Sequence, residues 1–355
     1  MKASEVEFSV GVEEELQLVD PETHGLTPIA ADVIERIELP EGRVGHEAYA
    51  AQIELRSPAC VDAGAVHAAL AQNRGAAVAA GATLMGTGLH PTDGWGASEI
   101  VDEPRYAEVG KSMRDLFGRT PEAALHVHIG MPDAETAIRV FNGLRRHLPL
   151  LIALAANSPW WFGRDSGLAS ARWALVRSYP GRGIPPAFDS WDHYEEHLKR
   201  VEAAGGPADY TLVWWDIRPH PRLGTIEVRE LDAQASLDDA TALAALAQAL
   251  ARRETEAPGA DLPPAEAIGW SCFRAARDGL DAEILHEGRL TAVSAAAREL
   301  AMQLDLPEVE RLVARGGGAA RRRAAHVRGG VEELLRELVA ETAVGPLETR
   351  AEQRP

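Results

Sequence analysis

Residues 11–18 read GVEEELQL, and the way this run is folded governs the reading of everything around it. The alternation across residues 6–19 predicts a strand. Side chains of a strand alternate between its two faces, so Glu13 and Glu15 share one face and Glu14 points to the other.

Outward from this strand the same pattern recurs three times. In QIELRSP (52–58), Gln52, Glu54 and Arg56 share a face; in LHVHIG (125–130), His126 and His128 do; in GTIEVRE (224–230), Glu227 and Arg229 do, with Leu231 next in the same alternation. Each strand carries ionisable groups on one side and apolar groups on the other. An antiparallel sheet with a solvated outer face explains any one of them. It explains the four together less well, because a solvated face mixes Lys, Thr, Ser and Glu, whereas these faces hold Glu, His and Arg and no lysine.

Glutamate and histidine without cysteine suit a hard cation, magnesium or manganese. Clustered carboxylates repel and need a cation or protons to coexist. Planar guanidinium groups such as those of Arg56 and Arg229 match phosphate or carboxylate. Acids and arginines on one surface therefore point to magnesium and phosphate together. Neither G-x-x-x-x-G-K-[ST] nor G-x-G-x-x-G occurs, and Gly86-Thr87-Gly88 lacks a third glycine. ATP, if bound, is held mainly through metals on a sheet.

The flanking segments complete an α+β pattern. Residues 24–30 are expected to close a hairpin on the first strand, across the turn-rich stretch Asp20 to Gly25. Asp62 caps an alanine-rich helix reaching about Gly81, Thr83 to Gly88 is a short buried strand, and Pro132-Asp133 opens a helix with Ile138, Phe141, Leu144, Leu148 and Leu151 on one face. Residues 157–190 form a long loop of the kind that often borders a site. Residues 211–218 and 224–231 read as two further strands. After about residue 236 Ala, Leu, Arg and Glu dominate, and three or four helices follow. The expected organisation is one composite domain over 1–345, sheet-rich through 6–235 and mainly helical over 236–345, with a frayed tail at 346–355.

Composition narrows the function. With 36 Lys+Arg against 54 Asp+Glu the formal charge is −18, which argues against nucleic acid and an anionic membrane as partners. The start MKASEVEFSVGVEEEL has no apolar core of signal-peptide length, and the most apolar run, Leu148 to Ala156, is too short to span a bilayer. A cytoplasmic protein is expected. Two cysteines far apart, Cys60 and Cys272, provide neither a disulfide framework nor zinc spacing.

GVEEELQLVDPETHGLTP, QIELRSP, LHVHIGMPD, NSPWWFGRDSGLASARW and WWDIRPHPRLGTIEVRELDAQ, with RAARDGLDA (274–282) and GGGAARRR (316–323), together resemble the glutamate–cysteine ligase type 2 family, also called carboxylate–amine ligases. The resemblance runs from Phe8 to about Arg323. It implies a fold like that of glutamine synthetase and the guanido kinases, a curved antiparallel sheet with metal-binding acids on its concave side and helices behind. It also implies an ATP-dependent ligase that makes an amide through an acyl phosphate and releases ADP and phosphate. The small-molecule substrates would be an amino acid carboxylate such as glutamate and an amine such as cysteine, with magnesium, or manganese in its place. Residue by residue, it carries Glu13, Glu15, Glu54, His128 and Glu227 over as metal ligands and Arg229 as a phosphate clamp. His126, Glu47 and Arg56 form a second tier, Arg56 beside Arg229 at the reacting groups. Where the family often has Gln near position 322 this chain has Arg322. Arg321, Arg322 and Arg323 read first as a solvated helix face, with a phosphate contact through Arg322 as the alternative. Assembly in ligases of related fold extends the expectation to a homodimer.

Simpler roles stand beside these. Arg229 serves equally as the salt-bridge partner of Glu227, and Trp160-Trp161 and Trp214-Trp215 as packing. A metal-dependent amide hydrolase built on His126-x-His128 would want more histidines and fewer glutamates. A non-catalytic relative would have no use for the full set of acids and Arg229.

Overall fold

The computed structural model describes residues 1–256 and 262–343. In chain order the elements are β1 (Val10–Leu18), α1 (Ala30–Arg36), β2 (Val44–His46), β3 (Gln52–Arg56), α2 (Ala63–Ala79), β4 (Leu84–Met85), α3 (Pro104–Met113), β5 (Ala124–Gly130), α4 (Ala134–Arg145) and α5 (Leu148–Ala155). There follow β6 (Trp160–Trp161), β7 (Arg164–Asp165), α6 (Ala171–Val176), α7 (Trp191–Ala203), β8 (Ile217–His220) and β9 (Thr225–Asp232). The last part holds α8 (Leu237–Glu256), α9 (Ala265–Asp278), β10 (Glu283–His286), β11 (Arg289–Ala292), α10 (Val293–Leu304), α11 (Pro307–Arg315) and α12 (Gly318–Thr342).

Seven strands form one antiparallel sheet in the order β2-β3-β1-β5-β9-β8, with β4 added to the end of β1. One face is apolar. Val10 and Val12 of β1, Leu125, Val127 and Ile129 of β5, and Ile226 and Val228 of β9 are all essentially inaccessible. They pack with Phe141 and Leu144 of α4, Leu151 of α5 and Leu243, Leu246 and Leu250 of α8. Each such side chain contributes about 1.5–3 kcal/mol on leaving water. The same cluster reaches Ile268 of α9, Leu300 of α10 and Leu312 of α11, so the sheet and the C-terminal helices share a core.

Several boundaries differ from the sequence reading for identifiable reasons. The hairpin expected at 24–30 shrinks to an isolated bridge between Val19 and Leu26, because Pro28 has no N–H to continue a ladder. The strand expected over 211–218 begins only at Ile217. Before it, the Asp209 side chain accepts from the Thr211 N–H at 2.9 Å and winds Tyr210–Leu212 into a 3-10 turn. The loop 157–190 contains the β6–β7 hairpin and α6, whose N-cap Ser170 accepts from the Trp173 N–H. The helical C-terminal part is interrupted by the β10–β11 hairpin. Its turn places Glu287 and Gly288 at φ of 47° and 77°, and a glutamate in the first position carries none of the Asn or Gly signal that marks such turns. The expected frayed tail, 346–355, lies outside the described residues.

Candidate active site

Strand register gathers the ionisable faces. Glu13 lies opposite Arg56 of β3 on one side and His126 of β5 on the other, and Glu15 lies opposite Glu54. His128 faces Glu227 of β9, which in turn faces Arg218 of β8. A bulge interrupts the β5–β9 ladder between Leu125 and Val127 and sets Arg229 and Glu230 against the single residue His126. The bulge resets the alternation, so Leu231, expected on the face of Glu227, instead pairs with Leu125 and is buried in the core.

Above this face lies a cavity of about 370 Å³. Glu13, Glu15, Glu54, His126, His128, Glu227, Arg56 and Arg229 all line it, as does Glu47. Arg322 does not. It is buried elsewhere, donating to Asn157 Oδ1 at 3.3 Å and pairing with Glu341, so the phosphate contact considered for it gives way to a structural tie between α12 and residue 157. It is no solvated face residue either.

Two sets of ligand atoms converge in the cavity. Glu13, Glu54 and His126 form one, and Glu13, His128 and Glu227 the other; within each, one atom per residue lies within 4.8 Å of the others. Glu13 belongs to both. His128 Nδ1 lies 3.0 Å from Thr225 Oγ1, which fixes the ring. Its Nε2 is buried with no hydrogen-bond partner among the described residues, 3.5 Å from Glu13 Oε2 and 3.9 Å from Glu227 Oε1. A histidine tethered through one nitrogen and bare at the other is the arrangement of a metal ligand. The donors are carboxylate and imidazole with no thiol, which fits magnesium or manganese. Glu15 lies outside both sets: its Oε2 accepts from the Ala124 N–H at 2.6 Å, while its Oε1 lies 3.6 Å from His126 Nε2.

Electrostatics follow from this crowding. Burial pushes the Glu13 carboxyl up, but His128 and His126 overcome it and hold Glu13 well below the usual carboxylate range. Burial lowers the His128 imidazolium, yet the carboxylates of Glu13 and Glu227 outweigh it and leave His128 above its ordinary value. Glu227 is also held far down, against burial, by Arg229 and Arg218. Glu47 goes the other way and is pushed up to about 8, by burial and by Glu15.

The arginines divide by company. Arg56 stands at the mouth, 36% exposed, against Glu54 and Glu13. A Cβ on Gly45, the residue facing Glu54 from β2, would come within 2.8 Å of the Arg56 guanidinium, so glycine there makes room for it. Arg229 pairs with Glu227 through Nη1, while its buried Nε has no partner among the described residues. Arg218, which was not singled out in the sequence, binds Glu227 at 2.7 Å and the Thr211 carbonyl at 2.6 Å. Its signal was the alternation Arg218-Pro219-His220, obscured by the misplaced start of β8. Arg172 and Arg182, from the long loop, also line the cavity.

Comparison with known proteins bears on the family and the fold. A family model described as glutamate–cysteine ligase family 2 matches residues 9–347. A protein of Rubrobacter xylanophilus named putative glutamate–cysteine ligase 2-3 is 39% identical over 353 residues, covering 94% of this chain and 96% of the relative. A glutamate–cysteine ligase of Haloquadratum walsbyi is 33% identical over 349 residues, covering 94% and 96%. In fold, the chain is similar to the glutamate–cysteine ligase of Francisella tularensis solved in complex with AMP, with a TM-score of 0.70 at 12% identity over 96% of this chain and 89% of that one. It is also similar to a bifunctional glutathione synthetase of Pasteurella multocida, with a TM-score of 0.65 at 15% identity, covering 94% of this chain and 52% of the other. The extent of the family match, and the identity to relatives along nearly their whole length, place the chain in glutamate–cysteine ligase family 2.

Proposed function

We propose that the protein is an ATP-dependent carboxylate–amine ligase that forms an amide through an acyl phosphate. The observation that carries this reading is the pair of Glu/His sets sharing Glu13, bordered in one cavity by Arg229 with its unpartnered nitrogen. Glu13, Glu54 and His126, and Glu13, His128 and Glu227, would hold magnesium or manganese. Bound there, the ions would supply charge neutralisation for phosphate oxygens.

Arg229 and Arg56 supply the fixed positive charge that a transferring phosphoryl group requires. An oxygen of the substrate carboxylate attacks the γ-phosphorus as the bond to the β–γ bridging oxygen breaks, and ADP leaves with that electron pair. The amine nitrogen then adds to the acyl carbon. The acyl C–O bond breaks, phosphate departs with its electrons, and the nitrogen gives its proton to solvent. Glutamate, or a related acid, is the proposed carboxylate, following the names of the relatives.

The test is ADP release by the purified protein with ATP and magnesium, amino acids being supplied singly and in pairs. ADP formation that requires both an acid and an amine supports the ligase. Amide hydrolysis without nucleotide, or no dependence on an amine, overturns it.

A further inference from the structure

We infer that the amine substrate is an α-amino acid with an apolar side chain, its carboxylate held by Arg172 and Arg182 and its side chain by an aromatic wall on the far side of the same cavity. This rests on the ligase reading above and names the second substrate of that site.

The first half of the inference comes from an arginine short of partners. Arg172 is 2% exposed, and among the described residues its Nε and Nη1 have no hydrogen-bond partner. The nearest carboxylate, Asp232, lies 3.8 Å away and is already occupied. Its Oδ2 accepts from the Asn157 N–H and Ser158 Oγ at 2.8 and 2.7 Å, and its Oδ1 accepts from Ser170 Oγ at 2.9 Å. Arg182 gives Nη1 to Glu230 at 2.6 Å, but its buried Nε is bare. Glu122 also faces the cavity, with its Oε1 bound by two nitrogens of Arg119. Both guanidinium groups keep a carboxylate nearby, Asp232 for Arg172 and Glu230 for Arg182, but their buried N–H groups without an acceptor are costly, and an anion entering from the cavity removes that cost.

The second half is the wall. Tyr49, Val109, Phe117, Leu212 and Trp214 line the cavity and pack on one another. Tyr179 joins the wall to the arginines: its ring meets Trp214 edge-on at 5.7 Å, and its carbonyl accepts from the Arg182 N–H. The polar tips of both tyrosines are spent inward, Tyr49 on the Phe117 carbonyl and Tyr179 on the Leu116 carbonyl. Those hydroxyls therefore have no proton left to donate to a purine ring nitrogen. A carboxylate site beside an apolar wall matches an amino acid with a hydrocarbon or aromatic side chain. A cysteine side chain, one sulfur beyond Cβ, would leave most of that wall uncovered.

Calorimetric titration of the whole protein, with and without magnesium–ADP, tests this with L-leucine, L-phenylalanine, L-alanine, L-cysteine and L-leucinamide. Leucine and phenylalanine are expected to bind about tenfold or more tighter than alanine and cysteine. Leucinamide, lacking the carboxylate, is expected to bind about tenfold more weakly than leucine. Arg172→Lys should shrink the leucine-to-leucinamide ratio and Leu212→Ser the leucine-to-alanine ratio, each with unchanged affinity for ADP. Equal binding of alanine or cysteine, or no binding of leucine and phenylalanine, overturns the inference, and the wild-type comparisons alone decide this if a variant fails to fold. A Leu212→Ser protein that loses ADP affinity in place of leucine affinity assigns the wall to adenine and overturns it as well. ADP release reports separately on the ligase. Turnover with cysteine and no binding of leucine sinks only the subsite, and tight binding of leucine with no turnover of any pair sinks only the ligase.

Discussion

Three adjacent residues of the same type, Glu13, Glu14 and Glu15, meet opposite fates across one strand. Glu14 points into the apolar layer, is 1% exposed, and is claimed by a single buried arginine: Arg74 Nε and Nη2 reach its two oxygens at 3.1 and 2.5 Å. Arg74 also donates to the carbonyls of Ala235 and Gln234, so both charges are satisfied. Glu13 and Glu15 point the other way, among two histidines and further glutamates, and the nearest atoms around them do not saturate them. A paired carboxylate holds a fold together, whereas a crowded set waits for a ligand.

The contrast is broken most severely on the cavity side. Glu13→Gln removes the carboxylate common to both ligand sets and should lower ADP release at least about a thousandfold, roughly 4 kcal/mol in transition-state terms. Glu15→Gln, outside both ligand sets, should lower ADP release less than Glu13→Gln does. Circular dichroism should stay native, because amide replaces carboxylate at the same size on a strand whose apolar face is untouched. A Glu13→Gln protein with unchanged turnover would remove the metal assignment.

On the other face the expected loss is of stability. Arg74→Met leaves Glu14 buried and unpaired and should cost about 3–5 kcal/mol in urea denaturation. Glu14→Leu combined with Arg74→Met should recover much of that loss, since an apolar pair replaces an ion pair at little net cost. Residual turnover per folded molecule should remain near wild type. If Arg74→Met costs no more stability than Glu13→Gln, the contrast between the two faces is wrong.

A milder probe is the cation itself. Manganese at about a hundred times its Kd should stabilise the wild-type protein by about 2.7 kcal/mol, read as a rise in Tm. Glu13→Gln should lose that rise, while the Arg74→Met protein, though less stable, should keep it. A rise of the same size in Glu13→Gln would place the ion elsewhere.

The alternation of GVEEELQL was enough to separate the two fates, because period-two patterning fixes faces before any partner is known. Glu54, His126, His128 and Glu227 were legible for the same reason, and register alone brings them together. What alternation does not carry is an added residue. The bulge at Arg229–Glu230 turned Leu231 to the core, and no residue in GTIEVRELD marks it. Nor does alternation name partners distant in the chain. Arg74 lies sixty residues from Glu14 on an alanine-rich helix, and Arg322 sits in a run of three arginines that reads as exposed, whereas it is buried against Glu341 and Asn157. Packing of α2 against the sheet decides the first contact, and the kink at Gly329 and Gly330 inside α12 brings Arg322 to Glu341; alternation marks neither.

The smallest expected effect concerns two histidines, each buried beside glutamate. His147 lies 2.7 Å from Glu254, which Arg146 also binds, and burial leaves His147 below its ordinary value despite that carboxylate. His128 has two carboxylates near it, Glu227 bound by Arg218 and Arg229 but Glu13 with no arginine within hydrogen-bonding distance, and it lies above its ordinary value, against burial. The signs of linkage are therefore opposite. The native state prefers neutral His147, so that contribution is complete above the unfolded pKa of about 6.5 and is lost as pH falls through the lowered native value. It prefers protonated His128, a contribution complete below about pH 6.5 and lost as pH rises through the raised native value. In chelator, His147→Gln should flatten the acid side of the stability profile and His128→Gln the alkaline side, each by no more than one proton's slope, about 1.4 kcal/mol per pH unit. Because an ion must displace the proton from His128, manganese should bind more tightly as pH rises from 6 to 8 in the wild type, and this dependence should weaken in His128→Gln. If both variants flatten the same side, the two histidines are not distinguished by their company, and the difference between a saturated and a crowded carboxylate does not extend to the imidazoles beside it.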